Sequence, residues 1–253
     1  MREIGKLFME KTRYAHLEES DQEKGMVQPP LEKSYDPDSA LIALPSVDEL
    51  DMDSIQLKEL IENRKSLRKY HQEALDIKEL SYLLWSTQGV KKVLVSQGEQ
   101  GPISKTLRTV PSAGGRHPFE TYILINRVRG IRAGLYRYVA TKHSLLPIEA
   151  EEDIGDKITD ACLNQVFVKT SAVTFIWAAD AYRTTWRYGE RGYRYIHLDA
   201  GHVCQNLYLA AESIDCGVCA IAAFDDEVLN EVMGLDGENE FVVYIGTAGK
   251  KIK

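Results

Sequence analysis

Cysteine is scarce, with four in 253 residues, at positions 162, 204, 216 and 219. So few, so unevenly placed, exclude a disulfide framework. A chain this long needs none, because folding removes roughly 70% or more of its unfolded surface from water. Cys216 and Cys219 form a CxxC, yet no second pair or histidine at ligand spacing accompanies it, as a zinc site requires. Nor does the pair open a helix after a strand, as in a thioredoxin-like site. It lies in the apolar run CGVCAIAAF, where packed thiols are the simpler reading, and no metal is expected.

Long hydrophobic runs are also missing. Nothing approaches the ~20 apolar residues of a membrane span, and the first twenty residues lack the apolar stretch and small-residue cleavage site of a signal peptide. A cytoplasmic protein with no membrane association is expected. Positive charge is in deficit, 31 Lys+Arg against 38 Asp+Glu for a net charge of -7. The basic residues are scattered, so no cationic field is offered to nucleic acid. Internal repeats and low-complexity segments are absent.

What is present is regular from residue 55 onward. Residues 2–14 carry a helical spacing (Ile4, Leu7, Phe8), and 15–48, with Pro29, Pro30, Pro37 and Pro45, read as an extended arm wrapping a surface, its own or a partner subunit's. The chain therefore divides into 1–50, helix and arm, and 51–253, one domain. Helices are predicted at 55–63, 77–87 and 152–165. The longest periodicity, from Tyr195 to Ile214, is apolar or small around most of its circumference and predicts a buried central helix. Strands are predicted at 120–126, 134–139, 172–178, 218–223 and 241–247. The segment 91–107 reads as a loop of no derivable conformation. The class is α+β, a mixed, mostly antiparallel sheet clad by helices around the central one.

Three clusters carry chemistry. In Arg64-Lys65-Ser66-Leu67-Arg68 an extended backbone would direct Arg64, Ser66 and Arg68 to one face, two guanidinium forks and a hydroxyl suited to phosphate; a solvated basic surface is the plainer alternative. In 108–118, RTVPSAGGRHP, small residues between two prolines make a turn that can approach a flat ligand, or simply a turn into a strand. It has neither the Walker nor the Rossmann glycine spacing. In 183–195, RTTWRYGERGYRY, four arginines and three tyrosines could wall a polar, aromatic mouth, or pack a helix end. His202 reads as a hydrogen-bonded core residue.

In that order, with LLWSTQGV (83–90), GLYRY (134–138) and YIGTAGK (244–250), these segments resemble the FMN-dependent nitroreductase family over about residues 55–250. The similarity is greatest to its branch of SagB-type dehydrogenases, which oxidise thiazoline and oxazoline peptides. The resemblance implies a nitroreductase-like fold and a homodimer with two FMN molecules at the subunit interface. It assigns Arg64, Lys65, Ser66 and Arg68, with Gly249 and Lys250, to the FMN phosphate and ribityl chain. Pro111, Ser112, Ala113 and Gly115 would reach the same flavin from the other subunit. Gly217, Val218, Cys219, Ala220 and Ile221 would lie against the isoalloxazine, one backbone N–H donating to N5. A small or peptide-borne organic substrate, and NADH or NADPH as donor, are implied. The azoline oxidases carry a Lys-Tyr pair where this chain has Arg187-Tyr188, the candidate catalytic residues. A guanidinium can orient an anion but is no ordinary general base. The expected function is thus an FMN-dependent oxidoreductase, with an azoline dehydrogenase and a flavin-binding protein without turnover as alternatives, and a flavin-cleaving enzyme as a lesser one.

Overall fold

The computed structural model describes residues 3–51, 54–98 and 101–252. In chain order the elements are α1 (Ile4–Lys11), β1 (Ile42–Ala43), α2 (Leu57–Asn63), α3 (Ile77–Gln88), β2 (Val90–Gly98), β3 (Gly101–Arg108), β4 (Phe119–Ile125), β5 (Gly134–Val139), β6 (Ser144–Pro147), α4 (Ile154–Ala161), α5 (Phe167–Thr170), β7 (Val173–Asp180), α6 (Ala181–Tyr188), α7 (Gly192–Glu212), β8 (Cys216–Ile221), α8 (Asp226–Val232) and β9 (Glu240–Lys250). The start of the first predicted helix, at residue 2, lies outside the described residues.

Seven strands form one sheet in the order β1-β6-β5-β4-β7-β9-β8, every neighbouring pair antiparallel. Alternate side chains of a strand face opposite ways, and here both faces are covered. Phe119, Ile123 and Ile125 of β4 and Phe175 and Trp177 of β7 share one core with Leu80, Leu83 and Leu84 of α3 and Val203 and Leu207 of α7. Tyr122, Leu124 and Ile176 face the other way, into a second core with Ile158 of α4 and Leu229 of α8. α3 starts where Asp76 accepts the Lys78 N–H and Glu79 accepts the Asp76 N–H, a reciprocal cap that fixes its first turn.

Three expectations are corrected. The segment 91–107, read as a loop, is the hairpin β2–β3, which pairs only with itself among the described residues; Glu99 and Gln100 at its tip lie outside them. α7 is not buried all round. Leu198, Gly201, His202 and Gln205 form an exposed stripe along it, so His202 is a surface residue rather than a core one. The predicted helix 152–165 is also shorter than expected, α4 alone, and the short α5 begins beyond it.

The arm lies on its own chain. β1 pairs with β6, and the Lys33 N–H donates to Glu120 Oε1 at 2.6 Å. Glu120 is buried and also receives Arg183 Nη2 at 2.6 Å, with Arg137 Nη1 at 3.8 Å. Farther back, the Gln22 N–H donates to the Trp186 carbonyl, the Trp186 indole to the Met26 carbonyl, and Arg191 to the Thr12 carbonyl. No helix among the described residues is long and apolar enough to cross a membrane, and no group of three or more His, Cys, Asp or Glu among them stands ready to hold a metal ion.

Candidate functional site

The predicted residues gather at two places. The first is the edge of β8. Ser66 bridges to Val218 in parallel, and the Leu67 N–H donates to the Val218 carbonyl. Arg64 stacks over the Tyr208 ring at 5.2 Å and Arg68 over Phe167 at 5.9 Å. Among the described residues neither guanidinium has an ion-pair or hydrogen-bond partner. Lys65, Leu67, Arg68, Lys69, Lys251 and Ile252 line a recess of about 330 Å³. Of its cations, Lys251 is already paired with Glu212. The other three, Lys65, Arg68 and Lys69, make a donor set that fits a phosphate monoester.

Several residues predicted for this half also make contacts within the chain. Lys250 is ion-paired with Glu79, and its neighbour Lys251, which lines the recess, with Glu212. A Cβ on Gly249 would lie 3.0 Å from the Tyr70 ring, and one on Gly217 would lie 2.3 Å from Leu67 Cδ1. Both glycines serve close packing. Val218, Cys219 and Ile221 are buried and Ala220 half-buried, so β8 offers its edge rather than its side chains. The Ala220 N–H is already given to the Tyr208 hydroxyl at 2.9 Å. All four cysteines are free and buried, and burial raises the Cys216 and Cys219 thiols, which makes them inert packing groups.

The second place is the turn at 111–117. Ser112 Oγ donates to Asp199 Oδ2 at 2.5 Å, the Ala113 N–H reaches the same carboxylate, and the His117 N–H donates to Ser112 Oγ at 2.8 Å. Burial raises the Asp199 carboxyl above its ordinary range. Gly114 takes a left-handed φ of 59°, and a Cβ there would lie 2.4 Å from the Tyr188 hydroxyl, so this turn and Tyr188 touch. Pro111 is exposed, Ser112, Ala113 and Gly115 are half-buried, and nothing lies within 4 Å of a Cβ built on Gly115. The Arg187 guanidinium lies 5.5 Å from the Tyr188 ring centroid. It has no ion-pair partner among the described residues. The other three arginines of 183–194 hold structure: Arg183 pairs with Glu120 and Asp180, and Arg191 and Arg194 hold the arm at Thr12. The four-arginine mouth expected from sequence thus reduces to Arg187.

His117 closes this turn. Burial, with the Arg108 and Arg116 charges nearby, pushes its imidazole down to about 3. The unfolded chain takes up that proton near pH 6.5 and the native state does not, so stability falls as pH drops from ~6.5 to ~3, by about 1.4 kcal/mol per unit for this group. Denaturant unfolding between pH 7 and pH 4 is expected to show that loss in the wild type and a shallower slope in His117→Gln. An unchanged slope would refute the assignment.

Sequence reasoning missed Tyr208 and Asp199, although a lone aspartate and a tyrosine inside an apolar helical period are the visible signal. They stand nine residues apart on α7, about 13 Å along its axis, and each lies about 100° or less around from the exposed stripe, on opposite flanks. One half of the site hangs from each flank.

A sequence profile of the nitroreductase family matches residues 61–250. A protein of Methanocaldococcus jannaschii that bears a nitroreductase name is 34% identical over 216 residues, 85% of this chain and 99% of its own length. The trifolitoxin-processing protein TfxB of Rhizobium leguminosarum bv. trifolii is 31% identical over 133 residues, 51% of this chain and 36% of TfxB. A nitroreductase-named structure from Anabaena variabilis superposes with a TM-score of 0.66 at 30% identity, covering 85% of this chain and 42% of that one. The E. coli microcin synthetase McbBCD complex shares the fold at a TM-score of 0.59 and 17% identity, over 98% of this chain and 87% of the matched one. With the motif order, the two-faced α+β sheet and the profile match all in agreement, the chain belongs to the nitroreductase family, an oxidoreductase family whose members are generally flavin-dependent.

Proposed function

We propose that this chain is a cytoplasmic FMN-dependent oxidoreductase working as a homodimer, with residues 51–253 forming the cofactor-binding domain. The observation that carries the reading is the cationic segment 64–69: Lys65, Arg68 and Lys69 line a recess, and the Arg64 and Arg68 guanidiniums have no ion-pair or hydrogen-bond partners among the described residues. Arg64, Lys65, Ser66 and Arg68, joined by Lys69, would hold the phosphate, while Pro111, Ser112, Ala113 and Gly115 would close on the ring from the second subunit. The stripe Leu198, Gly201, His202 and Gln205 supports the dimer. If two α7 helices cross obliquely over that stripe, the Tyr208 flank of one would lie beside the Asp199 flank of the other, and the two half-sites would meet between two chains.

Bound there, FMN would supply hydride transfer, with NADH or NADPH as donor and a small or peptide-borne organic molecule as acceptor or substrate. The chain's own groups would position and polarise. Arg187, always charged, would orient an anionic substrate group, and Tyr188, resting on Gly114, would keep the turn and the substrate face in register. Titration of the protein with FMN is expected to quench flavin fluorescence at one flavin per chain, and NADH or NADPH should then bleach the flavin band. Unquenched flavin would sink the reading, and a bound flavin that no donor reduces would favour a binding protein without turnover.

A second reading has one specific support, the 31% identity with a trifolitoxin-processing protein. It makes the chain an azoline dehydrogenase of the SagB-type branch, acting on a heterocyclised peptide with a two-hydrogen loss of mass. Arg187→Lys separates the two. It is expected to raise the rate of that mass loss by about 10²-fold if a missing general base is limiting, and to lower ordinary reductase turnover if Arg187 orients substrate.

A further inference from the structure

Tyr208 joins two segments that the sequence keeps far apart. Its hydroxyl lies 2.8 Å from Ser66 Oγ and accepts the Ala220 N–H at 2.9 Å, while its ring carries the Arg64 guanidinium 5.2 Å from the centroid. The side chain is 9% exposed and sits on α7, the most extensively packed helix, whereas Ser66 is exposed. The amide proton of Ala220 occupies an acceptor position on the phenol oxygen. The phenol proton is then free to point at Ser66 Oγ, and the Ser66 proton is left to point outward, into the space beside Arg64 and Arg68. An anion there makes this the one order in which every proton in the chain is used: Ala220 N–H to Tyr208 O–H to Ser66 O–H to anion. Hydrogen bonds so aligned polarise one another, and the last is strengthened most by a charged acceptor.

We propose that Tyr208 is a positioning residue for the phosphate: its hydroxyl aims the Ser66 proton at a phosphate monoester, and its ring fixes the Arg64 guanidinium above the same point. The proposal rests on the FMN reading of this site and adds to it a residue that touches no cofactor. It also explains why a tyrosine stands where the helical period calls for an apolar side chain. Phenylalanine would pack equally well and would carry Arg64, but it would leave Ser66 without direction.

The test is a binding comparison on the full chain. FMN and riboflavin are titrated by fluorescence quenching into the wild type, Tyr208→Phe, Ser66→Ala and the double variant, with thermal melting alongside. Tyr208→Phe is expected to weaken FMN about tenfold, as loss of one aligned bond to a charged group does, while riboflavin, which lacks the phosphate, binds as before. The double variant should bind FMN no more weakly than Ser66→Ala alone, because both changes cut one path. Equal weakening of FMN and riboflavin would show a merely structural tyrosine and overturn the proposal, as would additive losses in the double variant or undiminished FMN binding by Tyr208→Phe. A wild type that binds neither flavin would overturn the cofactor reading itself, a different outcome from any of these. Should Tyr208→Phe melt well below the wild type, the ratio of its FMN to its riboflavin affinity, taken below both transitions, still decides: loss of folded protein lowers both ligands alike and leaves the ratio at the wild-type value, which would overturn the proposal.

Discussion

Replacing Glu120 with alanine is expected to cost about 3–5 kcal/mol of stability, the range for removing one partner of a buried ion pair. The carboxylate is nearly inaccessible, its side chain 7% exposed, and Arg183 and Arg137 facing it are 1% and 4% exposed. Alanine would leave two guanidiniums buried with far less compensation, and Asp180 reaches only Arg183. The Lys33 N–H would lose its acceptor too, releasing the arm from the sheet. Urea unfolding of Glu120→Ala is the measurement, and a loss below about 1 kcal/mol would mean that water enters the site and the pair contributes little. Lys157→Ala, whose partners Glu151 and Asp153 are exposed, serves as the contrast and should change stability by less than about 1 kcal/mol.

That cluster also shows where reading the sequence stopped. β4 and β5 were legible because ETYILIN and GLYRYV are runs of β-branched and aromatic residues that satisfy both core faces. α3 was legible because Asp76 and Glu79 cap an apolar period. The same logic fails for 183–194, whose arginines look alike in sequence. Their roles are set by partners far away: Glu120 for Arg183, and Thr12, 179 positions distant, for Arg191. No local pattern distinguishes them from Arg187. The hairpin β2–β3 was illegible for another reason. Val93, Val95, Ile103 and Leu107 remain exposed on it, so no buried face imposes a clean alternation, and a two-stranded unit of this kind is marginal by itself. α7 was legible as the longest helix and misread as fully buried, because Leu198 and Gly201 look like core residues until the fold shows that none of the described residues covers them.

The open stripe leads to the second large effect. If each flavin is shared, the two halves of the site can be disabled separately and restored by mixing. Arg64→Ala with Arg68→Ala in one chain removes the two guanidiniums beside the recess. Charge-assisted bonds of this kind contribute about 1.5–3 kcal/mol each, so flavin affinity should fall by about 100-fold or more. Gly115→Asp in another chain disables the opposite half. Nothing lies within 4 Å of a Cβ at that position, and aspartate tolerates its φ of 63° better than most residues, so the protein folds while a carboxylate intrudes where the ring would lie. Each variant alone should be nearly free of flavin. In a heterodimer of the two, one of the two sites carries both lesions and the other carries none, and that dimer is expected to bind one flavin with wild-type affinity. A site built within a single chain would be broken in both protomers, and the heterodimer would bind none. Differential tagging of the two chains, followed by flavin counting from absorbance, distinguishes one per dimer from zero. The geometry favours one, because Ser112 and Ser66 hang from opposite flanks of the same helix through Asp199 and Tyr208, and a second α7 laid obliquely across the stripe would bring such flanks together.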